Sequence, residues 1–271
     1  MKRIATVALV ALVPLISACG GSPSDEDQIK DAVDQISTAK KADELATVCD
    51  DLFTPAFLKE VYGGKRANCV KKPFSDEKEF DDPGETTVAS VKVTDPNASV
   101  KIETVGGDTD GIDGTWTMKK VDDQWQLDHL EDDYVRSTFA AAVKKVDTGM
   151  VAFGPMRKCF LSKVDKLDQQ SLRDISFGQA SGDRTAAFDA ANKLAESCPL
   201  PLAQYVAESL ATQVIAKKDV PPKTVECARK NLVGLLLTTG LAPQALKQNN
   251  EFGSATAAAL SGMIVGAVRE C

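Results

Sequence analysis

The sequence contains a single histidine, His129, among its 271 residues. Any Ser-His-Asp triad or Cys-His pair would have to use this residue. The chain also lacks a G-x-S-x-G segment, the turn that carries the nucleophilic serine in many hydrolases. None of its seven cysteines forms a C-x-x-C pair, so the usual ligand spacing of a structural zinc site is missing. These absences argue against the common hydrolases, and we predict no catalytic set, no metal and no other cofactor.

A surplus of positive charge is missing as well. The chain has 39 acidic and 32 basic residues, and acidic residues occur in short clusters such as Asp122-Asp123 and Glu131-Asp132-Asp133. Such clusters are typical of a solvated surface. Because a nucleic-acid-binding protein usually carries a basic patch, we predict no nucleic-acid partner. The net negative charge also disfavours direct adhesion to anionic lipids.

The first 18 residues have the layout of a bacterial signal peptide. Lys2 and Arg3 precede an uncharged, mostly apolar run that reaches Ala18. This run is shorter than the roughly 20 residues that a membrane-spanning helix needs, and Pro14 interrupts it. We therefore predict that residues 1–18 are a signal peptide that is removed after export.

The segment Ile16-Ser17-Ala18-Cys19 resembles the lipobox of bacterial lipoproteins. This resemblance implies that Cys19 receives diacylglycerol and further acylation, for example by palmitate. Two or three acyl chains anchor a protein stably, since each buried methylene contributes about 0.8 kcal/mol. Residues 19–27 would then tether the protein to the extracytoplasmic face of the cell membrane. A plain secretion signal followed by an incidental cysteine is the alternative.

Six cysteines remain once Cys19 is assigned to the lipid, and in an exported protein an even number suggests disulfides. Six cysteines can pair in 15 ways. An internal repeat narrows the choice, because residues 159–198 and 227–271 each begin a helix with cysteine and end another with cysteine. Stepping back from the closing cysteine by three, four, seven, eight and eleven residues gives the same apolar helical stripe in both copies. The stripe contains Ala195, Leu194, Ala191, Ala190 and Ala187 in one copy and Val268, Ala267, Ile264, Met263 and Leu260 in the other. The repeat therefore argues for Cys159–Cys198 and Cys227–Cys271.

Residues 28–133 are predicted to form an α+β domain, with helices packed on a curved antiparallel sheet. Ser24 is a candidate helix N-cap, and Ile29, Val33 and Ile36 follow it at helical spacing. Further helices are predicted over residues 42–52 and from Thr54 to the Gly63-Gly64 stop. Alternating patterns then predict strands at 87–94, 98–105, 112–120 and 124–130. Helices followed by strands favour the α+β class.

Three segments of this domain resemble the NTF2-like domains of actinobacterial lipoproteins. They are residues 46–58, the Gly63-Gly64 pair with Cys69, and residues 123–127. The resemblance implies that Cys49 is joined to Cys69. Residues 134–271 are predicted to be an all-α, disulfide-linked domain and resemble the cysteine-bracketed helical regions of other actinobacterial envelope proteins.

The alternation of the last two strands predicts a pocket. Trp116 on one strand and Trp125, Leu127 and His129 on the next should face the same interior. We therefore expect His129 to be partly buried beside these three residues. With no catalytic set, the leading hypothesis is a secreted, membrane-anchored protein that binds a small apolar ligand or an envelope protein without catalysis. The alternatives are an enzyme that uses His129 and a nearby carboxylate as acid and base, and a purely structural protein that docks onto another envelope component.

Two further motifs are predicted to be structural. The loop GGDTDGIDG contains Asp108, Asp110 and Asp113, but Ile112 and Lys119 stand where a calcium-binding EF-hand needs oxygen ligands. We expect a solvated hairpin loop. The segment Gly262-Met263-Ile264-Val265-Gly266 resembles the small-residue motif of membrane helix pairs, yet its Ala- and Ser-rich helix predicts a buried helix of a soluble domain.

Overall fold

The computed structural model describes residues 23–39, 41–71, 84–146, 151–212, 220–247 and 254–271. The predicted signal peptide and Cys19 lie outside the described residues. The described chain has a mixed α/β architecture, with a four-stranded antiparallel sheet and many helices. None of its described helices is both long and apolar enough to cross a membrane.

Among the described residues, four α-helices precede the sheet: α1 (Asp25–Thr38), α2 (Ala42–Thr47), α3 (Pro55–Tyr62) and α4 (Arg66–Lys71). A π-helical segment, Val48–Leu52, continues α2. Ser24 caps α1 as predicted, since its hydroxyl accepts from the Asp27 amide and the Asp27 carboxylate accepts from Ser24 in return. Thr54 caps α3 through its hydroxyl, which accepts from the Phe57 amide. This helix ends at Gly63, where φ is +64° and an added Cβ would lie 2.6 Å from the Ser181 carbonyl oxygen. Glycine is therefore required at this close approach.

The sheet contains β1 (Glu85–Thr94), β2 (Asn97–Val105), β3 (Asp113–Val121) and β4 (Gln124–Leu130), in that order. The four strands lie within a few residues of the predicted ones. Strand β2 alternates strictly between exposed and buried side chains, as a strand with one covered face should. Strands β3 and β4 are joined at Asp122 and Asp123, which both have positive φ, as a two-residue hairpin of the primed type requires.

Large buried side chains of the strands occupy the space on the inner face of the sheet. Trp116 and Trp125 are each 1% exposed, and Trp116 packs edge-on against Tyr134 at 5.5 Å between ring centroids. The other fully buried side chains of this face are Val100, Ile102, Met118, Leu127 and Leu130. The sheet and helices of the first region thus close on a dense core, with the predicted pocket residues Trp116, Trp125 and Leu127 inside it.

The described residues after the sheet are mainly helical, and their helices are α5 (Asp132–Lys145), α6 (Phe153–Lys163), α7 (Gln169–Ser181), α8 (Arg184–Glu196), α9 (Pro199–Leu210), α10 (Pro222–Thr239), α11 (Ala242–Lys247) and α12 (Ser254–Arg269). These helices divide between two cores. Tyr134 and Val135 of α5 and Leu172 of α7 belong to the core under the sheet. Met156 of α6 belongs instead to a second core, formed mainly with α9, α10 and α12. The chain therefore returns to the first core after the predicted boundary between residues 133 and 134.

The structure joins Cys49 to Cys69, Cys159 to Cys198 and Cys227 to Cys271, with Cα–Cα distances of 6.1, 6.1 and 5.9 Å. These are the three predicted pairs. Among the described residues, a Cβ added at Gly262 or Gly266 of α12 would meet no atom within 4 Å, so these glycines make no close helix contact. Leu260 and Ala267 of this helix face the core instead.

Candidate functional site

His129 does not share the inner face of the sheet with Trp125 and Leu127, so that prediction is wrong. The pairing of β4 with β3 slips by one residue: Leu127 lies opposite Met118, but His129 lies opposite Thr117. Asp128 is therefore an extra, bulged residue, and a bulge reverses the alternation of side chains beyond it. Leu130 takes the inward position, and the His129 side chain, which is 32% exposed, lies on the other side.

A group of charged side chains surrounds His129. Glu60 of α3 lies 2.9 Å from the ring, measured from its Oε2 to His129 Nδ1. On the other side, Nη2 of Arg173 from α7 lies 2.9 Å from His129 Nε2. Arg173 also forms an ion pair with the other oxygen of the Glu60 carboxylate. The three side chains thus form a closed triangle that links α3, β4 and α7.

Arg173 is the most buried member of this group, with 11% of its side chain exposed. Its Nη2 also donates to the Leu130 carbonyl at 2.8 Å and to Asp132 Oδ1 at 3.0 Å. A buried cation is costly unless it is paired and hydrogen-bonded. Two carboxylates, Glu60 and Asp132, meet that requirement, so Arg173 acts as a clamp between the sheet region and α7.

An open cleft of about 610 Å³ lies beside this clamp. Its walls come from α3, the end of β4, α7 and the start of α8. The lining residues are Lys59, Glu60, Gly63, His129, Gln169, Gln170, Arg173, Asp174, Phe177, Gly178, Ser181, Asp183 and Ala186. Most of these side chains are polar, so the cleft offers charged and hydrogen-bonding groups to a ligand or a partner surface.

The geometry around His129 opposes acid–base catalysis. His129 Nδ1 faces the Glu60 carboxylate and Nε2 faces the Arg173 guanidinium, each at 2.9 Å. Both ring nitrogens are occupied within the protein. A general base must reach the proton of a substrate, and His129 could do so only after losing one of these contacts.

The aspartate-rich loop has structural partners. Asp110 accepts from the Gly106 amide at 2.8 Å, and the Ser137 hydroxyl donates to Asp113 at 3.2 Å. Across the described ranges, no group of three or more His, Cys, Asp or Glu residues is placed to hold a metal ion. The loop therefore offers no assembled cation site in the part of the chain that the structure describes.

Sequence reasoning identified His129 but missed Glu60 and Arg173. These residues lie 69 and 44 positions from His129 along the chain, and no local motif connects them. The sequence offered one hint of a buried ion pair, the single arginine of α7, Arg173. The sequence prediction had placed that helix in the other domain. Comparisons with family models, with characterised proteins and with solved structures find no match for this chain.

Proposed function

We propose that this protein is a lipoprotein, anchored through Cys19 at the extracytoplasmic face of the cell membrane, that binds an envelope partner without catalysis. In this proposal an NTF2-like module is followed by the disulfide-linked helical region. The signal-peptide layout and the lipobox-like segment support this location at the membrane. The three joined cysteine pairs support it too, because disulfides persist mainly in proteins outside the reducing cytoplasm.

The observation that carries the binding function is the filled interior of the sheet. An NTF2-like enzyme would need an open interior pocket with its acid or base inside. Here Trp116 and Trp125 occupy that interior, and His129 lies outside it in the polar cleft. The cleft is therefore the surface that we assign to the partner.

The lining of the cleft indicates the kind of contact. Lys59 on one wall and Asp174 on another present opposite charges, and Gln170 adds an amide group. The Gln170 amide donates to Asp174 at 2.7 Å, which holds that carboxylate at the rim. A partner surface with both charge signs and hydrogen-bonding groups would complement this arrangement.

Site-specific photocrosslinking in intact cells tests the binding surface. A photoreactive amino acid at Gln170 should give one discrete adduct, because this residue lines the cleft. The matched control is Lys230, whose side chain is 74% exposed on α10. Equal adducts at both positions, or none at Gln170, would contradict the proposed surface.

Fractionation of the same cells tests the proposed lipid anchor and membrane location independently. The Cys19→Ala variant should leave the membrane fraction and appear in the medium, or accumulate with its signal peptide attached. Normal processing with unchanged membrane retention would exclude the lipid anchor while leaving the binding surface untouched.

A further inference from the structure

The three disulfides differ in their access to solvent. Cys49 and Cys69 are 2% and 1% exposed, and Cys198 is 1% exposed beside a partly buried Cys159. Cys271 is exposed, two residues beyond the end of α12, and its partner Cys227 is half-buried on α10. Exposed disulfides are the ones that reductants reach first.

A hydrogen-bond donor lies beside this exposed pair. The side-chain amide of Asn231 follows Cys227 by four residues on α10, and its Nδ2 lies 3.5 Å from Cys271 Sγ and 3.9 Å from Cys227 Sγ. The same nitrogen donates to the Ala267 carbonyl of α12 at 3.3 Å, which holds it between the two helices. An amide N–H at a sulfur stabilises the negative charge that develops when the S–S bond breaks.

We propose that Cys227–Cys271 is a thiol–disulfide exchange site that reacts with a dithiol reductant. A thiolate of the dithiol attacks the exposed Cys271 sulfur and forms a mixed disulfide. The Cys227–Cys271 bond breaks, and Cys227 leaves as a thiolate beside the Asn231 amide before it takes a proton from water.

The second thiol of the reductant completes the reaction. As a thiolate it attacks the reductant's own sulfur in the mixed disulfide, so Cys271 leaves as a thiolate and is protonated. The dithiol has lost two electrons and become a disulfide, and the cystine has gained them and become two thiols. Noncovalent contacts, such as those of the buried Leu260 and Ala267, then hold α12 against the second core.

Graded reduction of the folded, disulfide-bonded protein tests this site. Dithiothreitol is added without denaturant, free thiols are alkylated at intervals, and the labelled cysteines are identified by peptide mapping. We expect Cys227 and Cys271 to be labelled at least about tenfold faster than the four cysteines of the two more buried pairs. Equal rates for the three pairs, or earlier labelling of Cys49–Cys69 or Cys159–Cys198, would overturn the proposal.

The role of Asn231 has its own test. Asn231→Leu keeps a similar shape and removes the N–H donor without adding a charge, so exchange at Cys227–Cys271 should slow by about fivefold or more. Lys230→Gln, at the neighbouring exposed position, is the control and should leave the rate unchanged. If Asn231 only held the helices together, its loss would loosen α12 and speed the reaction, so a faster or unchanged rate in Asn231→Leu contradicts the role of the amide.

Discussion

The two cores of the molecule are built from different side chains. The core under the sheet buries large aromatic residues, among them Trp116, Trp125, Tyr62 and Phe57. The second core is rich in alanine, which contributes little apolar area on burial. Its buried alanines are Ala195, Ala203, Ala207, Ala211, Ala228, Ala242 and Ala267. Two of the three disulfides lie in the second region, so covalent closure there compensates for limited apolar burial.

Removal of both disulfides from the helical region should have the largest effect. Replacing Cys159, Cys198, Cys227 and Cys271 by serine should cost about 3–4 kcal/mol for each pair. Since both tryptophans of the chain lie in the first core, their fluorescence reports that region alone. We expect thermal loss of the helical far-UV signal at a temperature where tryptophan fluorescence stays native. Coincident transitions would mean that the two regions depend equally on these bonds.

Truncation of Leu172 should have the next largest effect, and it should act on the first region. This side chain is fully buried in the core under the sheet although it belongs to α7. Leu172→Ala should therefore lower the stability reported by tryptophan fluorescence by about 2–5 kcal/mol. Leu200→Ala, at a side chain that is 49% exposed on α9, is the control and should change little. A loss confined to the far-UV signal would place α7 with the other core.

His129→Gln tests the charged contacts that join α3, β4 and α7 in the first region. The glutamine cannot keep both contacts of the ring, with Glu60 and with Arg173, so we expect a loss of about 1–2 kcal/mol by urea unfolding. Photocrosslinking from Gln170 should persist. Discovery of a substrate whose turnover disappears in this variant at unchanged melting temperature would contradict a non-catalytic function.

A smaller change is expected at Tyr62. Its ring is buried among the aromatic side chains Phe53 and Phe57, and within the described residues its hydroxyl has no hydrogen-bond partner. Burial also raises the pKa of the Tyr62 hydroxyl well above its ordinary value. Tyr62→Phe should thus leave stability unchanged or raise it by up to about 1 kcal/mol, as measured by thermal unfolding. A clear loss would reveal a bond made by the hydroxyl.

The smallest effect concerns the pH dependence of the first region. Hydrogen bonds from Lys120 and Trp125 lower the pKa of the Asp25 carboxyl below its ordinary value. The ionised form is therefore favoured in the folded state, and its stabilisation is present above the ordinary value of 3.8 and is lost as the pH falls through the lowered one. Asp25→Asn should flatten the acid limb of the stability profile, monitored by tryptophan fluorescence. An unchanged profile would show that the contact does not contribute.

Local patterns predicted the helices and strands well, because capping and alternation are recorded in neighbouring residues, and the internal repeat predicted two of the three disulfides. Ser24, Thr54 and the strict alternation of β2 are examples. The site was predicted less well. A single bulged residue, Asp128, moved His129 to the other side of the sheet, and periodicity alone does not reveal a bulge. Arg173 was missed because its partners are set by the packing of α7, a contact between distant parts of the chain.

The chain alternates between the two cores, since α5 and α7 belong to the first and α6 to the second. This order has a kinetic consequence. When the chain is released N-terminus first, the four strands can pair once residue 130 has been released. The core under the sheet remains incomplete until Leu172 of α7 follows. During that interval the apolar surface meant for α7 stays accessible, and helix α6 is already present without its own partners. Chaperones bind such transiently exposed apolar surface. The interval between the release of β4 and the release of α7 is therefore the time at which the chain is most prone to misfold.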